Sequence, residues 1–576
     1  MNSPSVSAAA ASVVALLDRR EFRKAAAEAE MAVKRAPGSV ELWNLLGAAW
    51  LLAGELAKGE RATAKALALD PASADARRNH DVALQGMRAR CREALSTLAD
   101  PEDEGGRLEA AFQAVVEADD ASVLDDDLKG PALAVFLRLA AGEAAERRWP
   151  FASIGRDFAA RGEHRSLLYQ IPRADDDADR RELLEQHRAW GRLAEARAAA
   201  EPVERAPRGP RSRLRVGLLS SDLRIHVVTA FADPLIEHAQ ENGVDLYCYS
   251  AQPGAPDGAQ QHIAGRVTEF RHLPGAGALE MARAVAADAP DVLIEIGGST
   301  NANRLEAMAH RLAPVQASWL GYPHSAGLAT IDHMVLDPYL APTDPSLMIE
   351  RPLLMPRSWI ALSPGFFRDE PRPVEVLPED RKGFITFGSA NSAYKYTPAA
   401  LQAWARVMAA VPRSRFLFVR PEGGSATFRR NVAEAFAKAG VGTDRLDFAA
   451  VRGGHLPYYG EIDISLDTFP LTGGTTTCEA LWMGVPVISL RGPAIYERLS
   501  HSILNNVGLG DLSVDSGAAF VAKGVALAGD PGFRRDWRAQ CRRQIMAGAL
   551  GDMRQFAEDF FRMLRGLEPA QVRSDA

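Results

Sequence analysis

The sequence predicts a helical-repeat arm followed by two doubly wound α/β domains, an α + α/β architecture in a chain of 576 residues. Three observations lead there: a 34-residue internal period before residue 90, a proline-rich stretch at 201–213, and, from residue 213, two series of short apolar runs alternating with helical segments. A chain of this length needs several cores, at a prior of roughly 100 to 200 residues per domain. Its 47% hydrophobic and 24% charged residues are those of a globular protein, which sets aside a fibrous or mainly disordered chain.

The arm comes first. Pro37 and Pro71, Ala32 and Ala66, and Phe22 and Leu56 each stand 34 positions apart, the tetratricopeptide period. In the second copy, Trp43, Leu46, Gly47 and Trp50 follow the pattern of a repeat's first helix. Ala57 and Ala66 fall where paired helices touch, and Pro71 closes the unit. Small residues belong at those contacts because two helices approach closely only where side chains lack bulk. The next copy has Arg77, His80 and Asp81 where Trp, Leu and Gly would fall. Residues 76–200 read as further amphipathic helix broken at Pro101, Gly130-Pro131, Pro150 and Pro172. A right-handed stack of irregular helix pairs is expected there, an ordinary helical bundle being the alternative beyond residue 90. The arm is assigned residues 1–205 and a binding or spacing role.

Charge and cysteine usage narrow the function classes. A net charge of −7 with a pI near 6.0 provides no overall basic surface, so nucleic acid is not an expected partner and any anion site must be local. Cys91, Cys248, Cys478 and Cys541 are scattered without a Cys-x-x-Cys pair, which points away from structural zinc and disulfides and towards a reducing compartment. Met1 to Leu17 is apolar, but it lacks a basic leader and runs straight into Asp18-Arg19-Arg20, unlike a signal peptide. No apolar run reaches the roughly 18 residues that span a bilayer. A cytoplasmic protein without membrane contact is the expectation.

After the linker at 201–213, strands are expected at 214–219, 246–250, 267–273, 292–296, 315–319 and 333–336, within a domain of residues 206–375. A second series at 384–387, 416–419, 446–450, 464–466 and 485–489 belongs to a domain of residues 376–576 that ends in helices. Such alternation implies parallel βαβ units, with ligand-binding groups on the loops beyond the carboxyl ends of the strands. Two such Rossmann-like domains facing each other across a cleft make the GT-B fold, which alone does not decide the reaction.

The candidate site residues lie on those loops. Gly473-Gly474-Thr475-Thr476-Thr477 follows a strand and precedes a helical run. Glycines let backbone approach a phosphate, threonines add donors, and the helix N-terminus supplies partial positive charge. The same turn would also serve merely to cap a helix. Glu479, one turn further on, could reach a ribose hydroxyl pair or act as an ordinary helix-dipole partner. Ser392, Tyr394 and Lys395 follow the first strand of the second domain, where the Lys395 ammonium could neutralise charge on a leaving nucleotide diphosphate. No metal-ligand cluster is evident, so a protein cation would do what a divalent ion does elsewhere. In the first domain His226, after Ser220-Ser221-Asp222, could orient a hydroxyl, act as a base, or simply cap a helix. The loop of Tyr322, Pro323 and His324 could line a phosphate or sugar with its backbone amides. His455 follows a strand and could stack on a base while nearby backbone reads its edge.

Taken together, these stretches resemble the O-GlcNAc transferase family, with its bacterial and plant members, and stand close to the bacterial ones. The resemblance rests on the repeat arm, Ser220-Ser221-Asp222 with His226, the run from Ala313 to Gly327, Tyr394-Lys395, and Leu466-Asp467-Thr468 followed by Gly473 to Thr476, and it covers residues 213 to about 545. It implies UDP-GlcNAc as donor, a protein serine or threonine hydroxyl as acceptor bound along the helical arm, inversion at the anomeric carbon, and no metal or other cofactor. It also implies that Lys395 contacts the diphosphate, His226 sits beside the reaction centre and His455 stacks near uracil. Thr475 and Thr476 would bind phosphate, Glu479 the ribose, and the Arg452 backbone would face the base. Gly474 stands where animal members have histidine, Ser392 replaces a glutamine, Glu479 replaces an aspartate, and the repeats are fewer. A UDP-sugar-binding scaffold without efficient transfer, or a GT-B enzyme using another UDP-sugar, are the alternatives.

Overall fold

The computed structural model describes residues 4–99, 103–207, 212–363 and 375–567. They form two compact units, divided after Val135.

The first unit is a stack of antiparallel helices: α1 (Pro4–Asp18), α2 (Phe22–Arg35), α3 (Val40–Leu52), α4 (Leu56–Leu69), α5 (Ala74–Ser96) and α6 (Glu104–Asp120). Ser39 and Ser73 cap α3 and α5, their hydroxyls accepting from the Leu42 and Ala76 amides. α3 and α4 pack so closely that a Cβ on Gly47 would lie 2.4 Å from the Thr63 methyl. The motif glycine is therefore a requirement of the helix contact. Ala66 and Leu46 are buried, and the Trp43 indole donates to the Pro37 carbonyl at 2.9 Å, tying the repeat's first helix to the preceding turn. The signal-like start is helix α1, whose Ala10 and Val13 share a core with α2 and α3. The degenerate third copy still pairs with its neighbour, His80 reaching the Thr63 hydroxyl at 3.1 Å.

The second unit starts with helices, α7 (Lys129–Arg138, which straddles the division), α8 (Gly142–Arg148), α9 (Phe151–Arg161) and α10 (Asp177–Ala200). The sequence reading places this stretch in the arm; in the structure residues 136–200 belong with the sheets. The break expected at Gly130-Pro131 falls just before it, between Asp120 and Lys129, and both residues lie in the first turn of α7, where proline's missing amide has no helical partner to lose. Pro150 does start a helix, and Pro101 lies outside the described residues.

The first sheet is wholly parallel, in the order β3-β2-β1-β4-β5-β6-β7, from β1 (Leu214–Leu219), β2 (Val244–Ser250), β3 (Glu269–His272), β4 (Val292–Glu295), β5 (Val315–Ser318), β6 (His333–Leu336) and β7 (Arg351–Leu354). Helices α11 (Val227–His238), α12 (Gly258–Ala264) and α13 (Ala278–Asp288) link the early strands. The second sheet, β10-β9-β8-β11-β12-β13, comprises β8 (Ile385–Ser389), β9 (Ser414–Val419), β10 (Leu446–Ala449), β11 (Ile464–Leu466), β12 (Val487–Leu490) and β13 (Ser513–Val514). Around it lie α14 (Pro378–Lys382), α15 (Pro398–Ala410), α16 (Ala426–Ala437), α17 (Thr475–Trp482), α18 (Leu499–Asn506), α19 (Gly517–Ala528) and α20 (Pro531–Ala547), and the chain ends in α21 (Met553–Arg565). Each of the eleven expected strands is present within a few residues. Strands β7 and β13 were not expected: β7 is an edge strand containing Pro352, and β13 has only two residues, so neither carries a buried apolar run. In both sheets the order reverses beside the first strand, β1/β4 and β8/β11, which is where such folds bind ligands.

The last helix returns to the first domain, with Phe556 and Phe560 against Trp319. At the amino end of β11 the fully buried Arg534 donates to Glu379 at 2.7 Å and Asp463 at 3.4 Å, while Asp463 also accepts from the Thr386 and Glu379 amides. Among the described residues no helix is long and apolar enough to cross a membrane. Replacing Asp463 by Ala leaves the Thr386 and Glu379 amides without their acceptor and the buried Arg534 guanidinium with Glu379 as its one remaining carboxylate, so a loss of about 2–3 kcal/mol is expected, read as a lowered urea midpoint.

Candidate functional site

The second domain builds its half of the site around one buried carboxylate. Asp467, directly after β11, accepts through Oδ1 from the Gly473 and Thr468 amides, both at 2.9 Å, and from Asn391 Nδ2 at 3.1 Å; its Oδ2 accepts from the Ser489 hydroxyl at 2.7 Å. The loops after β8 and β11 and the strand β12 are thereby joined at one residue. Asn391 in turn accepts from the Thr476 hydroxyl at 2.8 Å, and Ser500 bridges Thr477 Oγ1 and the Gly473 carbonyl. A Cβ on Gly473 would stand 2.4 Å from Thr477 Oγ1 and 2.9 Å from Asp467 Oδ1, so glycine is required there by space. Gly474 precedes α17, with open space around its Cα, and Thr475 and Thr476 begin the helix, partly exposed. Thr477 is buried and uses its hydroxyl internally.

Lys395 lies in a short turn after β8 that starts at Ser392, whose carbonyl accepts the Lys395 amide. Its ammonium donates to the Thr472 carbonyl at 2.9 Å, immediately before the Gly473 turn. Burial draws this group down to about 8, with Asp467 opposing and Arg420 reinforcing the shift. Tyr394 packs edge-on against Tyr169 at 5.7 Å. His455 and Glu479, taken separately from the sequence as base and ribose ligands, touch: His455 Nε2 lies 3.0 Å from Glu479 Oε2, which also accepts from the Tyr459 hydroxyl at 3.4 Å. Arg452 is exposed on the loop after β10, followed by Gly453 and Gly454 at positive φ.

In the first domain His226 is the N-cap of α11, its Nδ1 accepting from the Val228 amide at 3.3 Å. Burial holds the imidazole below its usual range, against the pull of Asp222, 3.8 Å away. Asp222 is anchored by Asn303 Nδ2 at 2.9 Å, and Asn303 also receives the Ser220 hydroxyl and the Ser221 amide. Leu320 is held at φ +78° just before Gly321, a left-handed conformation a branched residue adopts only under constraint. Tyr322 and His324 are buried against α10: His187 Nε2 meets the Tyr322 hydroxyl at 2.7 Å, and the His187 and His324 rings pack with centroids 4.2 Å apart and planes tilted by 33°. Burial takes His324 down to about 4 and lowers His187 as well, so the pair is uncharged near neutral pH. Both side chains are thus committed to packing, and Pro323 between them is half-buried.

Asp467, Asn391, Thr472 and Asn303 are the polar residues that single-residue reading passed over. Asp467 enters the sequence reading only within the Leu466-Asp467-Thr468 motif, without a role of its own. Among the described residues, the group of His, Cys, Asp or Glu side chains close enough to share an ion is Asp233, Glu237 and His262, in the later part of α11 and in α12; Arg266 approaches the same Glu237 at 3.7 Å.

The sequence model of Glycosyl transferase family 41 matches residues 164–360 and 371–560, which is most of the second unit. The chain belongs to glycosyl transferase family 41. Similar members include the probable UDP-N-acetylglucosamine–peptide N-acetylglucosaminyltransferase SPINDLY of Eustoma exaltatum subsp. russellianum, 34% identical over 67% of this chain and 42% of that protein. The protein of the same description from Oryza sativa subsp. japonica is 32% identical over 71% of this chain and 44% of its own length. The matched region therefore spans less than half of these relatives. An O-GlcNAc transferase mutant from Thermobaculum terrenum has the same fold, with a TM-score of 0.61 over 98% of both chains at 23% identity. The match begins at residue 164, so the family 41 domain includes α10. Gly473→Ala in this domain is expected to cost about 1–3 kcal/mol through the clash with Thr477 and Asp467, measured as a lowered melting temperature.

Proposed function

We propose that this chain is an inverting, metal-independent glycosyltransferase that moves N-acetylglucosamine from UDP-GlcNAc to serine or threonine hydroxyls of proteins. The observation that carries the reading is the placement of the Lys395 ammonium on the Thr472 carbonyl, next to a glycine turn that opens α17. A diphosphate at that turn would meet backbone amides, the Thr475 hydroxyl, the Thr476 hydroxyl once it turns from Asn391, and a cation held at close range. Family membership and the peptide N-acetylglucosaminyltransferase description of the relatives support the donor and acceptor classes.

In the proposed reaction the acceptor hydroxyl attacks the anomeric carbon as the bond to the UDP β-phosphate oxygen breaks, and the hydroxyl proton is released to water or to the departing diphosphate. Lys395 and the α17 amides stabilise the negative charge that grows on the departing diphosphate, the charge a divalent ion neutralises in other transferases. The His455–Glu479 pair stands at the nucleoside end, Glu479 towards ribose and His455 towards the base. His226, neutral near pH 7, stands beside the acceptor side with Asp222 behind it. The repeat helices of the first unit would hold the acceptor polypeptide.

Lys395→Met should abolish UDP release from UDP-GlcNAc while leaving the melting temperature near wild type; turnover at the wild-type rate would refute the role. The pH dependence has a definite sign. With Lys395 near 8 in the free protein, the ammonium is present below that pH and is lost above it. UDP affinity measured by calorimetry should therefore be flat up to about pH 7.5 and then fall, approaching about tenfold per pH unit, and Lys395→Met should remove that fall. Incubating lysate with a panel of labelled nucleotide sugars separates GlcNAc transfer from use of another UDP-sugar and from binding without transfer.

A further inference from the structure

The helix α10 lies outside both sheets yet touches the loops of both. Towards the first domain His187 meets Tyr322, and Gly191 packs on the chain at Gly327 so tightly that a Cβ would fall 1.8 Å from the Gly327 carbonyl oxygen. Towards the second domain Arg180, at the start of α10, makes a two-pronged ion pair with Glu497, Nε at 3.0 Å and Nη2 at 2.7 Å. Both side chains are nearly buried, 11% and 5% exposed. Arg180 is itself oriented by Asp177 and the Asp175 carbonyl, and Glu497 also accepts from the Ala494 amide at 2.8 Å.

This pair leads to the site in three short steps. Tyr496, adjoining Glu497, is pinned from the other side by its hydroxyl on the Ala174 carbonyl at 2.9 Å. The Tyr496 carbonyl accepts from both the amide and the hydroxyl of Thr472, at 3.0 and 3.1 Å. The Thr472 carbonyl accepts from Lys395 Nζ. A buried ion pair adds little net stability, because desolvation offsets most of the attraction, whereas a bidentate guanidinium–carboxylate contact fixes geometry well. That is what this location calls for.

We propose that Arg180 is a positioning residue for Lys395: through Glu497, the Tyr496 backbone and Thr472, helix α10 sets where the ammonium meets the donor diphosphate. Its catalytic meaning rests on the nucleotide-sugar reading above, whereas the positioning itself does not. α10 then joins the Tyr322 loop of one domain to the Lys395 anchor of the other, so that any displacement of its first turn would be felt at the cation.

The test is amine labelling of the full-length protein with acetic anhydride, each lysine followed by mass spectrometry, in wild type, Arg180→Met, Arg180→Lys and Glu497→Gln, alongside UDP titration. Release of the Thr472 carbonyl should raise Lys395 labelling about fivefold, with Lys382, Lys438 and Lys523 unchanged, and weaken UDP about tenfold. Arg180→Lys, which keeps charge but loses the fork, should fall between. On a Lys395→Met background Arg180→Met should cause no further loss of UDP affinity. Unchanged Lys395 labelling in both Arg180→Met and Glu497→Gln overturns the proposal, as do fully multiplicative losses with Lys395→Met. If Arg180→Met unfolds, all lysines label faster together, and the near-isosteric Glu497→Gln decides. Wild-type protein that binds no UDP would sink the nucleotide-sugar reading, while the labelling contrast still decides the positioning.

Discussion

The buried carboxylate of Asp467 is the constraint on which the second domain's site depends. A fully buried carboxylate must have its lone pairs satisfied, and here the donors come from two loops and a strand: Gly473 and Thr468 after β11, Asn391 after β8 and Ser489 within β12. Satisfying one side chain therefore sets the relative position of the strand ends at the switch point of the sheet. The open geometry of the Gly473 turn follows from it, since that amide is turned inwards and the following residues start α17 partly exposed. Burial pushes the Asp467 carboxyl up, and the ring of donors together with the nearby Lys395 pulls the other way.

The first domain solves a similar problem with Asn303, which gathers Ser220, Ser221 and Asp222 and so places the His226 cap. Its other cleft loop is held from outside. Tyr322 and His324 face α10, and the His187 that meets them is held neutral by burial, its Nδ1 on the Leu183 carbonyl. The His187 tautomer follows: Nδ1 donates to the carbonyl, leaving Nε2 to accept from the tyrosine hydroxyl. What this loop offers a ligand is consequently backbone and the exposed edge of Pro323 more than aromatic or imidazole side chains.

Much of this was legible in the chain itself. The 34-residue period gave the paired helices, because a repeat must reproduce its contact residues at the same spacing. The β-branched runs gave eleven strands, because a strand buried on both faces is apolar throughout. The Gly-Thr turn and Lys395 were recognisable from their places after strands. The pairing of His455 with Glu479 was not legible, since 24 residues separate them and nothing local signals contact. Nor was the affiliation of residues 136–200, whose helical pattern is the same whether they pack on repeats or on sheets.

The sequence by itself determined the element types, the doubly wound order of the two domains and the family, because periodicity, turn chemistry and motif residues are local properties. Only the tertiary structure decided which candidate groups share a site: it set Lys395 on the Thr472 carbonyl, turned Tyr322 and His324 towards α10, and brought Arg180 across 317 residues to Glu497. Those outcomes depend on which buried polar groups find partners, a condition satisfied through contacts between distant segments and invisible to any window of the chain.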